Sequence, residues 1–362
     1  MMHYLPTKIY HGARCLKDNS DCLQGLGTRA GIVTGKTSAK KCGALTDVLS
    51  VLEKLKITSV LFDEVEENPS VATCFKAAEF FKEQGVDFVI GIGGGSPLDA
   101  AKAIALLLAN PTLIGEDLYT SKGSLSYLPV VEIPTTAGTG AEVTPNAVLS
   151  IPETGKKSSI AYSMYPSIAF CDYRYLKSLP RSIRISTAVD ALAHLLESFL
   201  SAKADRFSDM YCCMGLTIFT GSLAGVGKEE ALSSSEWKLL MDASTIAGMA
   251  IAQTGTSLPH AFSYPLTMRN HIAHGTACGI TLGGYVRLLE QRGSFKAKTA
   301  LNILGFSEAA ALEECFKKLL PKASIPAVQK EEDIKSVLSN PKKTATCPFS
   351  LTEEELRGIY LF

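Results

Sequence analysis

The sequence predicts an α/β domain built on a parallel sheet, followed by an all-helical domain, with the boundary near residue 179. Three observations predict it. The first half alternates short β-branched or aromatic runs with amphipathic helical stretches, the pattern of a parallel sheet covered on both faces. Three consecutive glycines, Gly93, Gly94 and Gly95, follow one of those runs and open a helical pattern. Beyond "SLPRS" at 178–182, helical spacing of apolar residues dominates to the end of the chain. A chain of 362 residues is long for one core and suits two domains, 1–179 and 180–362.

Taken in order, residues 30–34 read as a strand and 37–55 as a helix with Leu45, Val48, Leu49 and Leu52 on one face. Residues 59–63 read as a strand, 70–84 as a helix and 87–92 as a buried strand. From Ser96 onward Ala100, Ile104 and Leu107 repeat at helical spacing, and Ser96–Pro97 is a favoured helix start. Residues 129–133 form the next strand, which ends in "PTTAGTGAE". Residues 146–172 interrupt the alternation, with two strands expected around a Pro/Gly turn at 152–155. In the second half Ile185, Val189, Leu192, Leu196 and Phe199 mark a helix, and Ser350 with Glu353 carries a capping signature.

Bulk properties narrow the function. The 36 basic and 36 acidic residues cancel, so there is no electrostatic footprint for nucleic acid. The best candidate for a membrane span, residues 100–109, is too short and contains Lys102. The start "MMHYLPTKIYHG" has no signal pattern, and ten cysteines without a CxxC read as thiols of a reducing cytoplasm.

Two constellations carry chemistry. Strand, glycine turn and helix start together make an anion site, because backbone N–H groups and the helix dipole point into it and glycine lets a phosphate come close. The same turn also occurs as a ligand-free strand-to-helix connection. In the helical half, Asp190 and His194 are four apart on one helix face, and His260 and His274 are 14 apart. One carboxylate and three imidazoles can complete the first shell of Fe²⁺ or Zn²⁺ with a position left for substrate oxygen. His271 is assigned to the surroundings of that shell, and Phe262, Tyr264 and the 146–165 insertion to the pocket wall.

The stretches "GGGSPLDAAKA", "EIPTTAGTGAEVTP", "DALAHLLESFL", "AQTGTSLPHAFSYPL" and "HGTACGI" resemble, in order, the signatures of the iron-containing (metal-dependent, group III) alcohol dehydrogenase family. The resemblance covers essentially the whole chain and is nearest in flavour to short NADP-dependent 1,3-propanediol and butanol dehydrogenase-type members. It implies a dehydroquinate synthase-like architecture, with a Rossmann-like N-terminal domain and an all-helical C-terminal domain. It implies a homodimer that moves hydride between NADP(H) and a small alcohol, diol or aldehyde. A lyase of the dehydroquinate synthase type would be expected to offer one glutamate and two histidines to the metal; this chain offers Asp190 and three histidines.

Carried over by residue, Asp190, His194, His260 and His274 match the family's metal ligands. Gly93, Gly94, Gly95 and Ser96 match its pyrophosphate cradle, with Asp99 nearby. Thr135, Thr136 and Thr139 match the threonines of the cofactor site, Asn68 its asparagine and Lys157 its lysine. Many members carry a further histidine four residues after the third ligand, where this chain has Tyr264; with a reference pKa of roughly 10, a tyrosine is a poor proton shuttle at neutral pH. NAD-preferring relatives commonly place an aspartate at the position of Gly35. Here Gly35 is followed by Lys36, Ser38, Lys40 and Lys41 at a helix start, which suits the 2′-phosphate of NADP.

Overall fold

The computed structural model describes residues 2–120, 123–151 and 156–362; the turn expected at 152–155 lies outside them. The chain divides into two compact units. One is Tyr4–Thr136 with Gly140–Ser178, and the other is chiefly Leu179–Phe362 with Ala137–Thr139.

The first unit holds β1 (Lys8–His11), β2 (Arg29–Thr34), β3 (Thr58–Phe62), β4 (Phe88–Gly93), β5 (Val130–Pro134), β6 (Val148–Ile151), β7 (Lys156–Ser159) and β8 (Ile168–Cys171). Six of them form a parallel sheet in the order β1-β8-β5-β4-β2-β3, while β6 and β7 pair antiparallel. Strands β4 and β5 are buried along their whole length, as expected for Val/Ile-rich central strands under helices on both faces. The register aligns Thr34 with Ile92 and Gly93 with Pro134, so the carboxyl ends of β2, β4 and β5 finish side by side. In open α/β sheets that edge is where ligands bind.

Several local expectations need correction. The helix expected over 37–55 is two pieces, Ser38–Lys41 and Ala44–Lys54, because Gly43 between them takes the left-handed conformation with φ +84°. Leu49, expected on the apolar face, is exposed. The helix after β4 runs Gly95–Ala109 and is preceded by Gly94, so Ser96 sits inside its first turn rather than capping it. That helix lies close on the sheet: a Cβ on Gly91 would stand 2.9 Å from Ala101 Cβ. Lys102 in its middle is buried, donating to the carbonyls of Ala141 (2.6 Å) and Asn146 (3.0 Å) and so pinning the segment after β5. Strands β1 and β8 were not anticipated; each has four residues, too short for a period to show.

The second unit is helical, with Arg181–Phe199, Arg206–Val226, Ser234–Thr254, Leu258–Asn270 and His274–Gln291 as its longest members. Ile185, Val189, Leu192, Leu196 and Phe199 are all buried, as their spacing predicts. The helices carrying Asp190 and His274 approach so closely that a Cβ on Gly275 would fall 1.9 Å from Ser186 O and 2.8 Å from Asp190 Cβ. Near the C-terminus the capping box is Thr352 with Glu355, two residues beyond the expected pair. Among the described residues no helix is long and apolar enough to cross a membrane.

Candidate metal centre and nucleotide turn

The close packing at Gly275 brings three of the four expected ligands together. Ligand atoms of Asp190, His260, His274 and Cys278 all lie within 4.8 Å of one another. His260 Nε2 is 3.4 Å and His274 Nε2 3.8 Å from Asp190 Oδ1. His194 stands outside that cluster, its ring stacked on His260 with centroids 4.5 Å apart. Asp190, His194 and His260 are buried, whereas the His274 side chain is 27% exposed, so solvent reaches the group from the His274 side.

Each imidazole already has a partner for its Nδ1. His194 Nδ1 lies 3.1 Å from Gly138 O, His260 Nδ1 2.7 Å from Glu197 Oε1 and His274 Nδ1 3.2 Å from Ser263 Oγ. Holding Nδ1 in this way fixes the tautomer and leaves Nε2 as the donor atom, the usual support of a metal-binding histidine. Gly138 can approach because it has no side chain; a Cβ there would sit 2.5 Å from Thr187 O. Glu197 is buried and also accepts the backbone N–H groups of Ser257 and His260, which ties it to the start of the His260 helix.

The titratable groups of the site act on one another: burial alone would lower His260, but Cys278, Glu197 and Asp190 around it hold it well above the usual imidazole range. Burial alone would raise the Asp190 carboxyl, but the His194, His274 and His260 imidazoles hold it well below the usual carboxylate range. Burial pushes His194 down, toward the neutral form that can donate a lone pair. His260 Nε2 is buried without a hydrogen-bond partner. A buried orphan of this kind beside a carboxylate and a second imidazole fits a divalent ion.

At the carboxyl edge of the sheet, the structure brings together most of the residues expected to hold a nucleotide. Thr135 N donates to Gly93 O at 2.8 Å, and a Cβ on Gly94 would meet Thr136 Cγ2 at 3.3 Å. Asn68 N donates to Ser96 Oγ (3.1 Å), and Lys157 Nζ donates to Asn68 Oδ1 (2.8 Å). Asn68 holds φ +57°, a conformation asparagine tolerates better than most residues. Thr135 Oγ1 is buried without a partner, and the bare Gly94 backbone leaves a cradle that a side chain would fill; both fit a phosphate-bearing cofactor. Asp99 has a structural task, accepting from Val148 N at 3.0 Å. Thr139 belongs with the helical unit rather than with Thr135 and Thr136. Lys36, Ser38 and Lys41 are exposed after Gly35, while Lys40 pairs with Asp63 at 2.5 Å.

A cavity of about 740 Å³ in the helical unit includes His271, Ile272, Ala273 and Thr276, flanking His274, with Arg181, Lys318 and Lys322 among its other walls. Phe262, expected at a pocket wall, is instead buried edge-on against Tyr360, with centroids 5.7 Å apart. Tyr264 stacks on the His274 ring at 6.0 Å. Glu197, Ser263 and Cys278 were missed from the sequence. Their signal was present: Glu197 lies three residues after His194, Ser263 three after His260 and Cys278 four after His274, each on its ligand's helix face.

Comparison with known proteins follows the same lines. Residues 6–173 match the family model described as iron-containing alcohol dehydrogenase, and residues 184–347 match its C-terminal counterpart. The chain is 34% identical to the long-chain primary alcohol dehydrogenase of Thermoanaerobacter ethanolicus over 288 residues, 77% of this chain and 72% of that one. It is 30% identical to an NADPH-dependent butanol dehydrogenase of Clostridium saccharobutylicum, covering 83% of this chain and 76% of that protein. The crystal structure of an iron-containing alcohol dehydrogenase from Thermotoga maritima superposes with a TM-score of 0.91 at 39% identity, covering 99% of this chain and 98% of the other. The chain belongs to the iron-containing alcohol dehydrogenase family, oxidoreductases of alcohols that use a divalent metal and a nicotinamide cofactor.

Proposed function

We propose that this protein is a metal-dependent alcohol dehydrogenase and aldehyde reductase that moves hydride between NADP(H) and a small primary alcohol, diol or aldehyde. The observation that carries the reading is the convergence of Asp190, His260 and His274 with every Nδ1 held from behind. In this reading Asp190, His194, His260 and His274 hold Fe²⁺, or Zn²⁺, and residues 180–362 are the metal-binding domain. Residues 1–179 bind the nucleotide through Gly93, Gly94, Gly95, Ser96, Asn68, Thr135, Thr136 and Lys157.

When bound, the ion supplies Lewis-acid polarisation of the substrate oxygen, and the nicotinamide supplies or takes the hydride. The chain does the rest. Asp190, His194 and His260 are buried, so in this reading a substrate approaches past the partly exposed His274. Gly138 O, Glu197 and Ser263 hold the three imidazoles against rotation, which keeps the donor atoms preorganised. Tyr264, stacked on His274, shapes the entrance. Its hydroxyl can donate or accept a hydrogen bond there.

Support for NADP(H) comes from Gly35, which places no carboxylate at the end of β2, and from exposed Lys36, Ser38 and Lys41 beyond it. The NADPH-dependent butanol dehydrogenase among the relatives points the same way. A homodimer in the cytoplasm completes the proposal. The test is steady-state kinetics of the iron- or zinc-loaded protein with NADPH and NADH against short aldehydes and diols. Stoichiometric cofactor consumption is expected; its absence across the panel overturns the reading.

A further inference from the structure

The helix that opens at the glycine turn carries three polar residues at three-residue steps, Ser96, Asp99 and Lys102, and each grips a different piece of chain. Ser96 Oγ accepts Asn68 N at 3.1 Å, Asp99 Oδ2 accepts Val148 N at 3.0 Å, and Lys102 Nζ donates to Ala141 O and Asn146 O. We propose that Asp99 and Lys102 are positioning residues for cofactor binding: they fasten the β6–β7 pair so that Lys157 reaches Asn68 beside the glycine turn. The inference rests on the nucleotide reading above.

A closed circuit of contacts carries it. Asn146 and Val148, both held by the helix, stand at the entry to β6. Two residues further on, Ser150 donates from N to Pro69 O (2.8 Å) and from Oγ to Asn68 O (2.7 Å). The antiparallel register sets Ser150 opposite Lys157, whose Nζ donates to Asn68 Oδ1 at 2.8 Å. Asn68 N then returns to Ser96, on the helix where the circuit began. Lys157 also acts on Asp99 through its charge. Burial raises the Asp99 carboxyl above its usual range, against the pull of Lys102, the Val148 N–H and Lys157.

Lys102 is fully buried, where an ammonium is costly to keep unless it is paired and hydrogen-bonded. Asp99 Oδ1 at 3.8 Å and Glu132 Oε1 at 3.9 Å supply the opposite charge. Glu132 is itself buried, and neither of its oxygens has a hydrogen-bond partner, so its tie to Lys102 is one of charge. An apolar side chain of similar length would fill the space without that cost, and would leave Ala141 O and Asn146 O unheld. The alternative task for Lys102 is general support of the fold. The two differ in where its removal is felt. General damage lowers stability and kcat together, whereas a positioning role acts only where Lys157 is present to be positioned.

A double-mutant cycle on the metal-loaded protein separates them. NADPH affinity is read by fluorescence titration for the parent, K102M, K157A and the double variant. K102M and K157A are each expected to weaken NADPH binding about fivefold or more, and the double variant to bind no more weakly than K157A does. With cofactor saturating, kcat of K102M should stay within about twofold of the parent, so that the loss falls on KM. Additive losses in the double variant, unchanged binding in K102M, or a kcat loss as large as the affinity loss each overturn the positioning role. Parental binding by K157A, or no binding of NADPH or NADH by the parent, overturns the nucleotide reading on which the proposal stands. If K102M does not fold, D99A, which frees Val148 N, takes its place in the cycle: coupling to K157A supports the proposal, and additivity overturns it.

Discussion

Glu197→Gln probes the support behind the metal centre without touching a ligand. Glu197 accepts three N–H groups: His260 Nδ1 at 2.7 Å, His260 N at 3.1 Å and Ser257 N. Both His260 bonds fall on Oε1 and the Ser257 bond on Oε2. A glutamine can keep its carbonyl oxygen at the Oε1 position, but its NH₂ group then faces the Ser257 N–H, donor against donor. One buried donor is left unsatisfied, which costs about 1–3 kcal/mol of folding stability. The loss of charge behind His260 also makes its Nε2 a poorer donor, and changes of this kind lower metal affinity about 10–100-fold, or about 1.4–2.7 kcal/mol. The two effects separate experimentally. Urea unfolding of the metal-free proteins reads the first, and zinc competition against a chromophoric chelator reads the second. A folded variant with parental zinc affinity would refute the claim that Glu197 tunes the metal through His260, whatever its stability.

Chelation should abolish turnover while NADPH binding, followed by fluorescence, survives in large part; restoring Fe²⁺ or Zn²⁺ should restore activity, and full activity in metal-free protein counts against the mechanism. Gly94→Val adds a side chain 3.3 Å from Thr136 Cγ2 at a backbone position (φ −76°) that valine can adopt, so it should lower cofactor affinity at least about tenfold, read by titration, without unfolding the chain. The unaltered enzyme should favour NADPH over NADH by at least about tenfold in kcat/KM, and Gly35→Asp should erase that preference. Because the new Cβ meets Val65 O at 3.2 Å, its thermal stability is measured alongside. Gly275→Ala forces a methyl group to 1.9 Å from Ser186 O, so it should cost about 1–3 kcal/mol or more in unfolding experiments and weaken metal binding with it.

The α/β and helical character of the two halves was legible because long periodic segments advertise their partners. The Asp190 helix repeats apolar residues at helical spacing from Ile185 to Phe199 and is buried almost all round, and β4 and β5 are short runs buried along their whole length. What stayed hidden was decided by tertiary contact. Strands β1 and β8 hold four residues each and pair with one another, a fact no local window contains. The start of the Gly95 helix looked like a Ser–Pro cap, but Ser96 instead receives Asn68 N from a loop 28 residues earlier. The metal ligands were legible as residue types at helical spacing. Their supporters Glu197 and Ser263 carried the same spacing, yet nothing in the sequence distinguishes a carboxylate that holds a histidine from one that holds a surface lysine.

Cofactor discrimination shows how far position alone carries. After Gly35 the sequence offers three lysines and a helix start, with no carboxylate in β2 or the residues just after it. The fold weakens the helix start and adds a carboxylate nearby. The helix following Lys36 is only Ser38–Lys41, one turn, so it sums few peptide dipoles and offers an anion little. Parallel pairing of β2 with β3 sets Val33 beside Phe62, and the next residue, Asp63, therefore emerges near the same edge. It takes Lys40 as its partner, and Lys40, with Lys36 more weakly, holds its carboxyl below the usual range. A carboxylate thus does stand close to this edge, supplied by the neighbouring strand instead of by β2. If the enzyme favours a 2′-phosphate as proposed, that discrimination has to come from Lys36 and Lys41 and from the Ser38 hydroxyl, since Lys40 is already paired with Asp63.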